Sequence, residues 1–283
     1  MFADPARESQ MIDFLSIGHI CHDQLPEGKT VGGAAAYASS VAASLGCRAA
    51  VVTSAAAEDD WQKSFPNLVI HQQISPMTTV FQNVYTPEGR VQTIRGVAGR
   101  LSTEDIPSEW MRVPMVHIGP IANEVDPAVI ERFTNSVIGI GPQGWMRRWN
   151  DQGHVYQVAW DKASEIIPLA TVTFLSLEDL ATPEELYIYQ QLASVLVITD
   201  SHRGCTIFTD GEERKFPAPV VEAVDTTGAG DIFAAAYLIR FYQTRGDVWE
   251  AARFANQIAG HSVTVRGLPE KMKQVKALIE TTL

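Results

Sequence analysis

The sequence is poor in cysteine and in positive charge, and it has no long uninterrupted apolar run. Its three cysteines in 283 residues are widely spaced and lack CxxC spacing, which argues against a disulfide framework and a structural zinc site. Lysine and arginine number 22 against 33 aspartate and glutamate, giving a formal net charge of -11. This acidic balance argues against nucleic acid or an anionic membrane as the main partner, because both require basic surface.

Two segments bear on targeting and membrane insertion. Residues 1–10 contain acidic and basic side chains but no apolar core, so we expect a flexible tail and not a signal peptide. Residues 31–57 are rich in alanine, valine and serine, but glycines and Arg48 interrupt them, which predicts a buried helix and strand and not a membrane span. We therefore expect a cytoplasmic protein with reduced thiols.

Short apolar runs alternate with helical stretches along the chain. The runs lack the alternation of polar and apolar residues, which is typical of strands covered on both faces. Strands are predicted at residues 14–17, 49–52, 115–118, 137–140, 172–175 and 195–198, with helices at 33–45, 127–135 and 183–193. This order predicts an α/β fold with a doubly wound, mostly parallel sheet and helices on both faces.

A candidate hairpin breaks that order. Residues 79–85 and 90–95 flank a Thr-Pro-Glu-Gly segment at 86–89, whose composition is typical of a tight turn. The predicted hairpin has a partly apolar face, formed by Val80, Val84, Tyr85 and Val91. It is either an ordinary surface hairpin or a cover over a binding site.

The most informative segment is residues 224–231, VDTTGAGD, directly before an apolar helix. Glycines on either side of a small residue let the N–H groups of a helix start face a cleft, where they and the helix dipole bind phosphate. Because a carboxylate beside that site would repel phosphate, Asp231 is predicted to be a general base that deprotonates an attacking hydroxyl. The alternative is a helix start with a capping aspartate. The pattern favours a phosphoryl-transfer site formed by Gly228, Ala229, Gly230 and Asp231.

This segment resembles the signature of the PfkB/ribokinase family of carbohydrate kinases, D-T-x-G-A-G-D. Residues 31–38, VGGAAAYA, are similar to the family's Gly-Gly substrate loop, and the resemblance extends over residues 12–270. Residues 18–23 and 143–147 most resemble myo-inositol kinases. The resemblance implies that the sheet is ribokinase-like and that the chain is an ATP-dependent kinase.

The resemblance also implies a domain organisation. Residues 11–283 would form one kinase domain, in which segments at about 20–31 and 77–99 make a small β-lid over the substrate. A lid suits phosphoryl transfer because it keeps water away from the migrating group. A homodimer through this lid is left open.

Site residues follow from the resemblance by position. The substrate-binding positions are Asp23, Gly32, Gly33, Tyr37, Gln143 and Arg147. The nucleotide-binding positions are Ser176, Thr199, Ser201, Arg203, Gly204 and Asn256. The metal-binding positions are Asp179 for Mg²⁺, and Asp225 with the carbonyl of Thr227 for K⁺. Simpler roles stay open for three of them: a solvated loop acid at Asp23, a surface arginine at Arg147, and a structural turn at Asp225.

Three positions depart from the family pattern. The family's N-x-x-E element appears as residues 176–179, SLED, so that Ser176 and Asp179 replace the asparagine and glutamate. Tyr37 stands where many sugar kinases have asparagine, and Ser201 replaces a common glycine. We expect a Mg²⁺- and ATP-dependent kinase of a small sugar or inositol-like cyclitol. The alternatives are a nucleoside kinase of the same family and a catalytically weak sensor that binds sugar or nucleotide.

Overall fold

The computed structural model describes residues 11–26, 28–86 and 89–282. The tail predicted at residues 1–10 and the hairpin tip at Pro87 and Glu88 lie outside the described residues. None of the helices in the described ranges is long and apolar enough to cross a membrane.

The strands of the described chain are β1 (Phe14–Ile17), β2 (Cys21–Leu25), β3 (Gly28–Gly32), β4 (Ala49–Ala56), β5 (Val69–Ser75), β6 (Val80–Thr86), β7 (Gly89–Gly96), β8 (Met115–Ile118), β9 (Val137–Ile140), β10 (Arg147–Trp149), β11 (Val155–Gln157), β12 (Val172–Ser176), β13 (Val195–Thr199), β14 (Cys205–Thr209) and β15 (Glu212–Phe216). Its α-helices are α1 (Ala34–Ser44), α2 (Trp61–Ser64), α3 (Ala163–Ile166), α4 (Pro183–Leu192), α5 (Ala229–Gln243), α6 (Val248–Ser262) and α7 (Leu268–Thr282). Short 3₁₀ helices include Pro127–Arg132, Leu177–Asp179 and Ser201–Arg203.

The main sheet has nine strands in the order β15-β14-β13-β12-β9-β8-β1-β4-β5. All neighbours from β13 to β5 are parallel, and β14 and β15 add an antiparallel edge. The six strands predicted from apolar runs all lie in this sheet, so the predicted mostly parallel α/β architecture is confirmed. Parallel neighbours require crossover connections, which bring helices onto the sheet faces.

Both faces of the main sheet are buried. Successive side chains of a strand point to opposite faces, and accordingly Phe14 packs with α1 and α5–α7, whereas Leu15 packs on the other side with Trp145 and Trp160. Helix α5 is buried at every position from Ile232 to Ile239. An apolar helix enclosed in this way gives its first turn a fixed position relative to the sheet.

The helix predicted at residues 127–135 is wrong in type and length. The segment forms a 3₁₀ helix over Pro127–Arg132, with i to i+3 hydrogen bonds such as Val129 N–H to the Asp126 carbonyl at 3.0 Å. Four residues separate the end of the segment from strand β9, which begins at Val137. Asp126 caps the segment by accepting a hydrogen bond from Ala128 N–H.

A second sheet of four strands, in the order β3-β2-β6-β7, is formed by the segments predicted as a lid. Phe81 and Ile94 face each other across β6 and β7 and are buried in a cluster with Cys21 and Ile121. The apolar pair Val84 and Val91 lies on the opposite face, about half exposed. The face that packs against the rest of the protein therefore carries Phe81, and the predicted apolar face points outward at these two valines.

Buried His117 on β8 makes the stability of this fold sensitive to acid. Its Nδ1 lies 3.0 Å from Ser16 Oγ, and burial lowers the pKa of His117 to about 4. The unfolded chain binds a proton near pH 6.5, whereas the folded chain does not, so the stabilisation present above pH 6.5 is lost as the pH falls toward 4. We expect a loss of about 2 kcal/mol between pH 7.5 and 5 from this group.

Urea denaturation at pH 7.5 and 5.0, compared between the native chain and His117→Asn, isolates this contribution. The variant should be less stable at pH 7.5 but should show the smaller dependence on pH. Equal pH dependence in the two proteins would contradict the assignment to His117.

Candidate active site

A cavity of about 580 Å³ opens at the carboxyl ends of β12 and β13. One part of the cavity wall is formed by α1 and the four-stranded sheet. The other part is formed by the loop after β13 and by α6. The start of α5 also lines the cavity. Ligand sites in open α/β sheets are found at this edge. Most of the predicted site residues line the cavity, including Asp23, Gly33, Tyr37, Gln143, Arg147, Ser176, Thr199, Ser201, Gly204, Thr227, Gly228, Ala229, Gly230, Asp231 and Asn256. The lining does not include Gly32, Asp179, Arg203 or Asp225.

The start of α5 presents unpaired backbone donors. Within the described chain, the N–H groups of Gly228, Gly230 and Asp231 have no hydrogen-bond acceptor, whereas Ala229 N–H donates to the Thr226 carbonyl at 3.1 Å. Unpaired donors at a helix start favour an anion. Ala229 therefore contributes to the turn, and the donors available to a phosphate belong to its neighbours.

Gly228 is required by both its backbone and its surroundings. It is the N-cap of α5 with φ +74°, a left-handed conformation that glycine adopts readily. A β-carbon at Gly228 would lie 2.3 Å from the Tyr37 ring, whereas one at Gly230 would contact nothing within 4 Å. The tyrosine at the position that departs from the family pattern thus packs directly on the helix start.

Asp231 is a weaker acid than an ordinary aspartate. Burial raises its pKa to about 7, an effect that Arg147 opposes and that the charge of Asp179 reinforces. A carboxylate with a pKa near neutrality accepts a proton more readily than an ordinary aspartate, and general bases are tuned in this way. Asp231 sits in the first turn of α5, where the helix fixes it beside the unpaired donors.

Arg147 lies in the cavity and not on the surface. It is buried, donates a hydrogen bond from Nη1 to the Ile121 carbonyl at 3.3 Å, and holds its guanidinium 6.0 Å from the centre of the Phe81 ring. Because its charge acts on Asp231, Arg147 can also meet an anionic or hydroxylated ligand there.

A chain of polar groups crosses the second sheet from Gln92 on β7 through Asn83 on β6 to Asp23 on β2. Gln92 Nε2 donates to Asn83 Oδ1 at 2.9 Å, and Asn83 Nδ2 lies 3.5 Å from Asp23 Oδ1. Asn83 and Gln92 line the cavity and were missed from the sequence. Their signal was the two-residue period that places them on the same face as buried Phe81.

Gly32 and Gly33, in the segment that resembles the family's substrate loop, have different surroundings. A β-carbon at Gly32 would lie 2.3 Å from Asp23 Oδ2, so its absence makes room for that carboxylate. Gly33 lines the cavity with φ +99°, and a β-carbon there would lie 2.3 Å from the His19 carbonyl oxygen. The loop therefore holds Asp23 in place and leaves its backbone open to a ligand.

The other part of the wall suits a flat, partly apolar group. Asn256 is buried and donates from Nδ2 to the Phe216 carbonyl at 3.0 Å, so its amide also tethers α6 to β15. Pro219, Ala259 and Val263 line the cavity beside it and were not predicted. Arg203 does not reach the cavity, because its exposed guanidinium makes two 2.6 Å hydrogen bonds to Asp200.

The SLED segment forms a capped 3₁₀ turn. Asp179 Oδ2 accepts a hydrogen bond from Ser176 N–H at 2.9 Å, and Oδ1 accepts one from Gln143 Nε2 at 2.9 Å. Glu178, which was not predicted, lines the cavity instead. No group of three or more metal-binding side chains occurs in the described chain. This arrangement fits a Mg²⁺ ion held mainly by phosphate oxygens and water, with Glu178 as the nearby carboxylate.

The loop before α5 is in contact with a buried ammonium group of α7. Lys271, in the first turn of α7, is completely buried and donates hydrogen bonds to the carbonyl oxygens of Asp225 and Thr227. Its Nζ is also 3.5 Å from Asp225 Oδ2, which accepts a hydrogen bond from Gly267 N–H at 3.0 Å. Burial alone would raise the pKa of Asp225, but backbone hydrogen bonds from Gly267 and Thr227 hold it below its usual value.

Comparison with known proteins gives a consistent result. Residues 150–274 match the model of the family described as pfkB family carbohydrate kinase. The chain is 27% identical to cytidine kinase of Thermococcus kodakarensis, with 83% of this chain and 90% of that protein covered. It is 26% identical to inositol 3-kinase of Oryza sativa subsp. japonica, with 95% of this chain and 74% of that protein covered. A solved pyrophosphate-dependent kinase in the ribokinase family, complexed with a pyrophosphate analog and myo-inositol, is similar at a TM-score of 0.79 and 21% identity, with 93% of this chain and 99% of that chain covered.

The order of the main sheet and the four-stranded second sheet define a ribokinase-like fold. The family match and the kinase relatives indicate a phosphotransferase. Residues 150–274 match the pfkB family of carbohydrate kinases, and this segment includes the motif at residues 224–231 that resembles the family signature. The matched residues 150–274 contain the start of α5 and the wall beside Asn256. Asp23, Gly33 and Tyr37 lie outside that matched segment.

Proposed function

We propose that this protein transfers the γ-phosphoryl group of ATP to a hydroxyl of an inositol-like cyclitol or small sugar, with Asp231 as the general base. The observation that supports this most strongly is the position of Asp231 in one cavity with the unpaired N–H groups of Gly228 and Gly230. A base and an anion site on the same helix turn provide the two functions that transfer to an alcohol requires.

In the proposed reaction, the oxygen of the acceptor hydroxyl bonds to the γ-phosphorus while Asp231 takes the proton of that hydroxyl. The bond from that phosphorus to the β–γ bridging oxygen breaks, and ADP leaves with the electron pair. The N–H groups at the start of α5 stabilise the charge on the transferred group. Mg²⁺, when bound, would neutralise phosphate charge, and Glu178 in the cavity wall is a carboxylate that could hold it.

The acceptor side of the cavity supports a compact molecule with several hydroxyls. Asp23 accepts hydrogen bonds, Arg147 donates them, and Asn83 can do both, so neighbouring hydroxyls of one ring find complementary partners. The inositol 3-kinase relative and the myo-inositol in the similar structure agree with this choice. We propose that the four-stranded sheet acts as the lid over this acceptor; the homodimer through it stays a prediction.

A nucleoside acceptor is the second candidate, because aromatic side chains line the same part of the cavity. Phe81 and Tyr37 both contribute to its wall, and a base could stack on either ring. The relative named cytidine kinase covers 83% of this chain. Tyr85 lies on the same strand as Phe81, but its side chain lies outside the described part.

ATP is the proposed donor because of the surface around Asn256. Pro219, Ala259 and Val263 offer an apolar wall that a purine would cover, whereas pyrophosphate would leave it bare. The similar structure that binds a pyrophosphate analog makes pyrophosphate the donor to compare.

The decisive experiment is a matrix of donors and acceptors. ATP and pyrophosphate are each incubated with Mg²⁺ and with myo-inositol, ribose, fructose, cytidine or adenosine, and the phosphorylated product is identified by mass spectrometry. Phosphorylation of myo-inositol by ATP is the expected result. Nucleoside monophosphate as the main product would replace the cyclitol, and pyrophosphate as the only donor would replace ATP.

The acidity of Asp231 predicts the pH profile of this reaction. Because burial raises its pKa to about 7, log kcat/KM should rise with pH below 7 and level off above it. Arg147 lowers that pKa, so Arg147→Met should move the rise to higher pH whatever its effect on the rate. Profiles from pH 5.5 to 9 would test this, and an unchanged inflection in the variant would contradict the coupling.

A further inference from the structure

The buried ammonium of Lys271 reaches three oxygens that belong to the loop directly before the anion site. Its hydrogen bonds to the carbonyls of Asp225 and Thr227 and its ion pair with the Asp225 carboxylate use the three donors that an ammonium has. A fully desolvated charge is costly unless such partners replace water. The two carbonyl oxygens and the Asp225 carboxylate thus form a cage for one monovalent cation, and the Lys271 ammonium occupies it.

The cage fixes the orientation of the peptide that ends at Gly228. In a planar trans peptide, the carbonyl oxygen and the N–H point in opposite directions. Because the Thr227 carbonyl points to buried Lys271, the N–H of Gly228 points the other way, and Gly228 lines the cavity. Two further hydrogen bonds fix the same loop, because the N–H groups of Val224 and Asp225 both donate to the Val263 carbonyl.

We propose that Lys271 is a positioning residue that serves as a built-in monovalent cation for the phosphate-binding turn, so that the enzyme needs no K⁺ or NH₄⁺. This inference rests on the proposed phosphoryl transfer and concerns the same turn. It replaces the potassium ion expected at Asp225 and Thr227, because the oxygens that would bind that ion accept hydrogen bonds from Lys271. Burial lowers the pKa of Lys271, and the neighbouring Asp225 carboxylate opposes this shift.

Removing the Lys271 side chain should make an enzyme that needs no added monovalent cation dependent on one. In Lys271→Ala, the oxygens of Asp225 and Thr227 remain while their cation is gone, so kcat should fall by about 10²-fold. K⁺, NH₄⁺ or ethylammonium should restore much of it. Lys271→Met fills the space without charge and should be equally impaired but not restored. The matched control is Lys273→Ala on the same helix, whose exposed ammonium pairs with Glu270.

The first measurement uses the native chain and needs no variant. Its kcat should be the same in NaCl, KCl and tetramethylammonium chloride at equal ionic strength. A requirement for K⁺ in the native chain would overturn the proposal, even if both Lys271 variants fail to fold. A loss in Lys271→Ala that no cation restores would also overturn it, because it would reduce Lys271 to a structural contact.

A binding measurement separates this inference from the proposed reaction. The Tm of Lys271→Ala should rise on adding KCl in place of tetramethylammonium chloride, whereas the Tm of the native chain and of Lys273→Ala should not. If the native chain phosphorylates no acceptor, the proposed function fails but this comparison still reports on the cage. Equal Tm responses in all three proteins would refute the cage as a cation site.

Discussion

Asp231→Asn is expected to lower kcat by roughly 10²- to 10⁴-fold while ATP continues to bind. The amide has the shape of the carboxyl group but cannot accept the proton of the acceptor hydroxyl. The N–H groups at the start of α5, which we propose hold the phosphate, are unchanged by the substitution. Single-turnover phosphoryl transfer and calorimetric titration with ATP measure the two effects separately.

The same variant should be at least as stable as the native chain at pH 8. Burial raises the pKa of Asp231, so ionising it destabilises the folded state increasingly as the pH rises from 4 to 7. Asparagine removes this cost, which argues that the carboxylate is retained for chemistry and not for stability. Asp151→Asn, a charge removal at an exposed position, is the matched control and should leave both properties unchanged. Near-native turnover in Asp231→Asn would remove the assignment of the general base.

The strands of the main sheet were predictable because burial on both faces leaves a simple local pattern. Each apolar run of four residues, such as residues 14–17, became a parallel strand with side chains in both cores. The edge hairpin of β14 and β15 was missed although it has a local signal. Asp210 and Gly211, at its turn, have φ of 49° and 75°, as a type I′ turn requires, and Asp-Gly is a favoured pair there.

The position of the candidate site was predictable from one local motif, whereas several contacts within it depend on the fold. The motif at residues 224–231 combines glycines, hydroxyls and carboxylates within eight residues, so one local segment contains most of the proposed catalytic groups. Lys271 lies 44 residues from Thr227 and sits in a charged stretch that is typical of a solvated helix. Only the packing of α7 against the loop before α5 brings its ammonium to those oxygens. Likewise, only the fold shows that Arg203 pairs with Asp200 and leaves the cavity.

Gly228→Ala is expected to lose both stability and at least about 10²-fold in kcat, for two physical reasons. Alanine in the left-handed conformation costs about 1 to 2 kcal/mol. In addition, its β-carbon would lie 2.3 Å from the Tyr37 ring, closer than packed atoms approach, so the ring or the helix start must move. Either movement displaces the N–H groups that hold the transferred phosphoryl. Thermal denaturation and steady-state kinetics measure the two losses.

Gly230→Ala separates the two causes, because Gly230 lies two residues after Gly228, within the first turn of the same helix. Its β-carbon would contact no atom of the protein within 4 Å, and alanine favours a helix over glycine by roughly 1 kcal/mol, so the folded state should keep or gain stability. Any loss of turnover would then come from crowding of the phosphate. In a double-mutant cycle, Gly228→Ala should cost less stability in a Tyr37→Ala background than in the native background, because the clash with the buried ring is gone. The cost that remains belongs to the backbone conformation. A Gly228→Ala protein with native Tm and turnover would mean that the helix start tolerates a β-carbon, and the anion site would have to be built from other donors.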